Sequence, residues 1–255
     1  MKTARKVVQW FLRVDPLASD YTAWSPYSYV FNNPLIFIDP DGRAPETVKP
    51  TGETEEQRQA SLQMIRNTLT AEDAKFVQLD ADGNIDRGLI NSRESSSGNF
   101  NSLKDMVNSD MVLEVSLAES FDYVDGDGNP GTSEMPYLPT DEYSEFDTEG
   151  NTMSGTSTGE SGFLGKTLFP DKNGLQNSPD GTVKVIVNKN LSEPARAEVY
   201  SHEGNGHAYI YMMNGGAKAR ERASHQPVNF KETNTELRQR IIRSKKETIQ
   251  NMRQK

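Results

Sequence analysis

The chain holds three histidines, and two of them bracket a glutamate in the run His202-Glu203-Gly204-Asn205-Gly206-His207. There is no cysteine. Thiolate zinc fingers, disulfide frameworks and cysteine nucleophiles are therefore excluded, and a metal must be held by imidazole and carboxylate. Two imidazoles one helical turn apart can hold Zn²⁺, and a glutamate beside them can take a proton from a polarised water. The spacing here is five residues rather than four. On a regular helix five residues advance about 500°, which leaves the two side chains about 140° apart on different faces. A one-residue π-bulge realigns them. Gly204 and Gly206 ease that distortion, although they weaken the helix.

The H-E-x-x-G-H pattern resembles the signature of the dipeptidyl peptidase III family, in which the insertion is tolerated and both histidines bind zinc. The match covers six residues, 202–207. The resemblance implies His202 and His207 as zinc ligands and Glu203 as the catalytic base. A tetrahedral site needs a third protein ligand. The third histidine of a metzincin would fall where Met213 stands, which excludes that class. Glu236 and Glu232 open or precede the last predicted helix, as the later glutamate of a gluzincin does, and His225 lies nearer in a loop. Glu236 ranks first because a rigid helix positions a ligand better, although Thr233 and Glu236 also match a capping box. Tyr209 and Tyr211 follow the motif, as oxyanion donors or as core residues.

A second resemblance lies in residues 1–43. Asp15-Pro16-Leu17-Ala18, Trp24-Ser25-Pro26-Tyr27-Ser28-Tyr29, Asn32-Asn33-Pro34 and Asp39-Pro40-Asp41-Gly42 resemble the end of the RHS repeat-associated core, in its Bacteroidota form. In that family a β-shell encloses a variable C-terminal toxin, and aspartyl self-cleavage at an Asp-Pro element frees it. While the zincin-like motif implies a protein or peptide substrate, this resemblance implies an effector beginning near Arg43, an RHS shell as carrier and a cognate immunity protein. It also implies interbacterial competition, with a cytoplasmic origin and export through a contractile, type VI-like system. The shell itself is not in these 255 residues, so the chain reads as the tail of a larger protein.

These residues need elements to hold them. Residues 44–54 read as a linker. Thr54 and Gln57 form a capping box for a helix over 55–69. Residues 76–86 read as a hairpin, residues 92–99 as a loop, and a helix follows from near Ser102. Residues 111–117 and 183–187 read as strands. Ser192 caps a helix with Pro194 in its first turn, running through His202 to about Met213 and stopping at Gly215-Gly216. A last helix spans 235–253 with Leu237, Ile241, Ile249 and Met252 as its apolar face. Strand, turn and histidine helix in succession predict an α+β, zincin-like domain over 55–255, with a small sheet, a metal-binding helix and a C-terminal helix.

Charge and composition bound the alternatives. Only 34% of residues are hydrophobic, so long polar segments are expected. Residues 105–165 hold fourteen Asp or Glu and no Lys, Arg or His. Within them, 122–162 read as a long acidic loop. Asp125–Asn129 and Asp80–Asp86 look like Ca²⁺ loops but lack the closing glutamate, so acid-glycine turns are the better reading. Residues 216–255 carry eleven Lys or Arg against four Glu, a net of +7. That charge is interspersed on a helix without aromatics, so no nucleic-acid partner is expected. No apolar run is long enough for a membrane span, and residues 1–14 lack a signal-peptide cleavage site. Two other readings stay open: a catalytically inactive zincin-like fragment or binding module, and a nuclease-type RHS toxin.

Overall fold

A computed structural model of the protein describes residues 48–136, 164–215, 219–224 and 235–254. The chain divides into two compact units, Met1–Pro45 and Glu46–Lys255, and all described residues belong to the second. The RHS-like motifs at 15–42 lie outside the described residues.

The second unit is mixed α and β, built on a small mixed sheet. Its four strands are β1 (Val48–Pro50), β2 (Leu113–Ala118), β5 (Gly165–Leu168) and β6 (Val183–Asn188), in the order β1-β2-β6-β5. The first three run parallel, with Leu113 opposite Val183 and Val115 opposite Val185. β5 runs antiparallel to β6 along one edge, with Thr167 opposite Val185. A separate two-stranded hairpin pairs β3 (Ser120–Val124) with β4 (Pro130–Glu134).

Both faces of β6 are covered, which is why it reads as a continuous apolar run. Val183, Val185 and Val187 join the main core. Ile186 joins Leu168, Phe121 and Met135 in a smaller cluster on the hairpin side. The main core is completed by helices. They are α1 (Glu55–Asn67), α2 (Ala71–Ala74), α3 (Arg87–Ser92), α4 (Gly98–Val107), α5 (Glu193–His202), α6 (Tyr209–Asn214), α7 (Ala219–Arg222) and α8 (Thr235–Arg253). Leu62, Ile65, Phe100, Leu103, Tyr200, Leu237 and Ile241 are all buried there.

Local signals set most helix starts. The Thr54–Gln57 capping box is formed, and Ser192 accepts from the Ala195 amide with Pro194 in the first turn. α4 starts at Gly98, earlier than expected, because Ser97 caps it and accepts from the Phe100 amide. α3 reaches Ser92 and shortens the loop expected there.

Three expectations are corrected. Val48–Pro50, within the segment read as a linker, form an edge strand. Val48 is 1% exposed, and the edge position spares Pro50 any need for an amide donor. The expected hairpin over 76–86 reduces to one bridge between Leu79 and Ile85, closed by the Asp80 amide on Asn84 O and the Asp86 amide on Gln78 O at 2.8 Å each, while the outward Ile85 amide bonds Val48 O at 2.9 Å. The part of the acidic stretch at 122–134 is not a loop but belongs to the β3–β4 hairpin. Its Asp125 turn is closed by bonds from the Asp127 and Asn129 amides at 2.9 and 2.8 Å, while residues 137–162 lie outside the described residues. The Asp80 turn is built alike, accepting from the Asp82 and Asn84 amides at 2.9 Å each.

α8 also departs from its expected face. Leu237 and Ile241 are buried, but further along the helix Ser244, Lys245, Thr248 and Asn251 take the buried positions. Ile249 and Met252 are only half-buried. The partner surface is polar. The Asn99 amide donates to Thr68 O, Ser244 O and Thr248 Oγ1 at 3.0, 3.2 and 2.9 Å. Ser201 and Thr248 hydroxyls meet at 2.7 Å.

Candidate metal centre

The histidine helix leaves the carboxyl end of β6, is started by Ser192 and Pro194, and runs as α5 to His202. It then changes register. Residues Glu203–Ala208 form a π-turn. The Tyr209 amide donates to Gly204 O, five residues back, where an α-helix would send it to Asn205 O. The one extra residue is absorbed, and His202 and His207 come to the same side. Their ring centroids are 5.0 Å apart and tilted by 35°.

Both glycines of the motif are required by close packing. A Cβ on Gly204 would stand 2.5 Å from the Tyr200 ring, and one on Gly206 would stand 2.6 Å from Ile241 Cγ1. Neither contact leaves room for a side chain without a shift.

His202, Glu203 and His207 each bring a ligand atom within 4.8 Å of the others, with both histidines buried. An ion bonded to two donors at about 2.1 Å in tetrahedral geometry separates them by about 3.4 Å, which that envelope admits. His207 Nδ1 lies within hydrogen-bonding distance of the Ala223 carbonyl. A carbonyl only accepts, so Nδ1 carries the proton and Nε2 the lone pair. That is the usual orientation of a metal-ligating histidine held by an outer partner. The donor set therefore fits a metal ion.

Sequence reasoning missed Thr167. It lies on β5 and is buried, and its hydroxyl donates to Glu203 Oε2 at 2.6 Å. Gly165, two residues earlier, makes room for this approach, since a Cβ there would meet Glu203 Cγ at 3.1 Å and Val199 Cγ1 at 2.5 Å. Nothing local marks either residue as part of a site. Lys166 stands between them. Burial pulls its ammonium below the ordinary range, the Glu203 charge opposes that, and Arg220 adds to it.

Glu236 is exposed in the first turn of α8, and the converging donors among the described residues are His202, Glu203 and His207. Glu232 and His225 lie outside the described residues. Both tyrosines have partners within the fold. Tyr209 donates to Asp105 Oδ2 at 2.9 Å, and Arg240 sits 3.1 Å from its ring centroid. Tyr211 stacks on Phe169 at 4.4 Å, and burial beside Asp171 pushes its hydroxyl up to about 12.

No helix among the described residues is long and apolar enough to cross a membrane. Comparison of the chain with protein-family models, with curated proteins and with solved structures returned no match.

Proposed function

We propose that the chain is a zinc-dependent hydrolase with a zincin-like site, a peptidase that serves as the effector of an RHS-type carrier. The observation that carries this reading is the π-turn, which brings His202, Glu203 and His207 within 4.8 Å of one another despite their five-residue spacing. His202 and His207 would hold the ion. When bound, zinc supplies a Lewis acid and lowers the pKa of a water beside it. Glu203 is the proton acceptor of the site, and the Thr167 hydroxyl fixes one of its carboxylate oxygens. The Glu203 carboxylate lies within 4.8 Å of a ligand nitrogen of each histidine, so it would be placed to take a proton from a water held there, as general-base catalysis requires. The sequence resemblance at 15–42 adds an RHS shell as carrier and a cognate immunity protein as partner, while the zincin-like motif at 202–207 makes peptide bonds the substrate class.

Metal analysis and point variants test this. Purified protein is expected to carry about one Zn²⁺. His202→Ala and His207→Ala should each abolish stoichiometric binding, since too few ligands remain. Glu203→Gln should keep the zinc and lose hydrolysis of an unfolded protein substrate. Alanine at Glu236, Glu232 and His225 in turn identifies the third ligand by loss of zinc affinity. Wild-type protein that binds no zinc after refolding with excess Zn²⁺ overturns the proposal.

A further inference from the structure

The π-turn has a grip on it from α8. The register change diverts the Tyr209 amide from Asn205 O to Gly204 O. Asn205 O accepts instead from Arg240 Nε at 2.6 Å. The same guanidinium donates to Ser102 Oγ on α4 at 2.6 Å and lies over the Tyr209 ring. One turn further along α8, Ser244 Oγ accepts from Asn205 Nδ2 at 3.0 Å. Between them Ile241 packs against Gly206 so closely that a Cβ would have no room. Three residues of α8, at helical spacing, thus hold the two residues at the middle of the π-turn.

The alternative state is defined by geometry. If residues 203–208 returned to a regular α-helix, Asn205 O would recover the Tyr209 amide, and the two imidazoles would swing about 140° apart. A donor that serves Asn205 O only in the bulged register favours that register. Arg240 is such a donor. Its planar fork supplies Asn205 O and Ser102 Oγ together from one rigid group.

We infer that Arg240 is a positioning residue for the metal centre: it selects the π register of residues 203–208, so His202 and His207 converge only when α8 is docked. The metal half of this statement rests on the zinc reading above, while the register half does not.

The test measures each half separately in the full chain. In metal-free wild-type protein, a nuclear Overhauser effect is expected between the His202 and His207 ring protons, whose centroids are 5.0 Å apart. Arg240→Met should abolish it. The same variant should weaken Zn²⁺ binding, measured by competition with a chromophoric chelator, by roughly 10–100-fold, the usual effect of losing an outer-shell partner. Ser102→Ala cuts the other bond of Arg240 and should leave both readouts near wild type. If Arg240→Met does not fold, Arg240→Lys replaces it, with both readouts expected to fall part-way because an ammonium lacks the planar fork. A folded Arg240 variant that keeps both readouts overturns the inference. So does loss of one readout without the other, or an equal loss in Ser102→Ala. If wild type binds no Zn²⁺, the zinc reading fails, and the ring-to-ring signal alone decides whether Arg240 sets the register.

Discussion

Thr167 Oγ1 donates to Glu203 Oε2 at 2.6 Å across the gap between the edge strand β5 and the π-turn. The carboxylate beside the two histidines is thereby tied to the sheet. Thr167→Val keeps the shape and removes the donor. It is expected to cost about 1 kcal/mol of stability, to leave zinc bound, and to lower hydrolytic turnover, while Thr167→Ser restores the turnover. Urea midpoints and turnover on an unfolded protein substrate check this, and a fully active Val variant would show that the bond does not orient the base.

Alanine normally strengthens a helix by about 1 kcal/mol over glycine. Gly206→Ala should do the reverse, destabilising by about 1–3 kcal/mol through overpacking on Ile241. The obstacle is Ile241 Cγ1, which valine would retain, so Ile241→Ala removes it, and in that background Gly206→Ala should cost less than it does alone. A stabilised single variant in chemical denaturation would contradict the packing described.

The Asn99 amide is the hub of the polar seam under α8. Asn99→Leu removes its bonds to Thr68 O, Ser244 O and Thr248 Oγ1 and the bond from Ser244 Oγ. With buried partners left unmatched, the expected cost is about 2–4 kcal/mol, read as a lower Tm. An unchanged Tm would mean the seam is already hydrated.

Burial by itself would raise the Asp180 carboxyl, but hydrogen bonds from Lys184, Thr182 and Ser178 outweigh it and hold the group at about 2. The unfolded value is near 3.9. A depressed folded pKa gives stability that is fully present above the unfolded value and is lost as pH falls from about 4 to 2. The side chain is 47% exposed, so after screening the effect is under about 1 kcal/mol. Asp180→Asn should flatten that part of the stability-versus-pH curve, and an unchanged slope would assign the loss to other carboxylates.

Features governed by neighbours in sequence were readable in advance. Thr54, Gln57, Ser192 and Pro194 announce helix starts because capping acts over three residues. The need for a register change between His202 and His207 followed from their spacing alone. Thr167 was invisible because its role depends on β5 lying antiparallel beside β6, a long-range pairing. Val48–Pro50 were read as linker because three residues carry too little periodicity to mark a strand. The buried face of α8 was misjudged for a related reason. Ser244, Thr248 and Asn251 become interior only because Asn99, Ser201, Asn205 and the Thr68 carbonyl supply matching polar groups from other segments.

The π-turn also leaves the phase of everything downstream untouched. One residue turns a regular helix by about 100°, and the turn absorbs that angle locally. Removing Asn205 would bring the histidines to the ordinary four-residue spacing, with both rings still on one face. α6 would keep its orientation, with Tyr211 on Phe169 and Ile210 and Met212 in the core. A shortened motif would thus keep its ligand pair and its core and lose only the bonds from Asn205 to Arg240 and Ser244, so the extra residue serves the fastening of the site to the last helix.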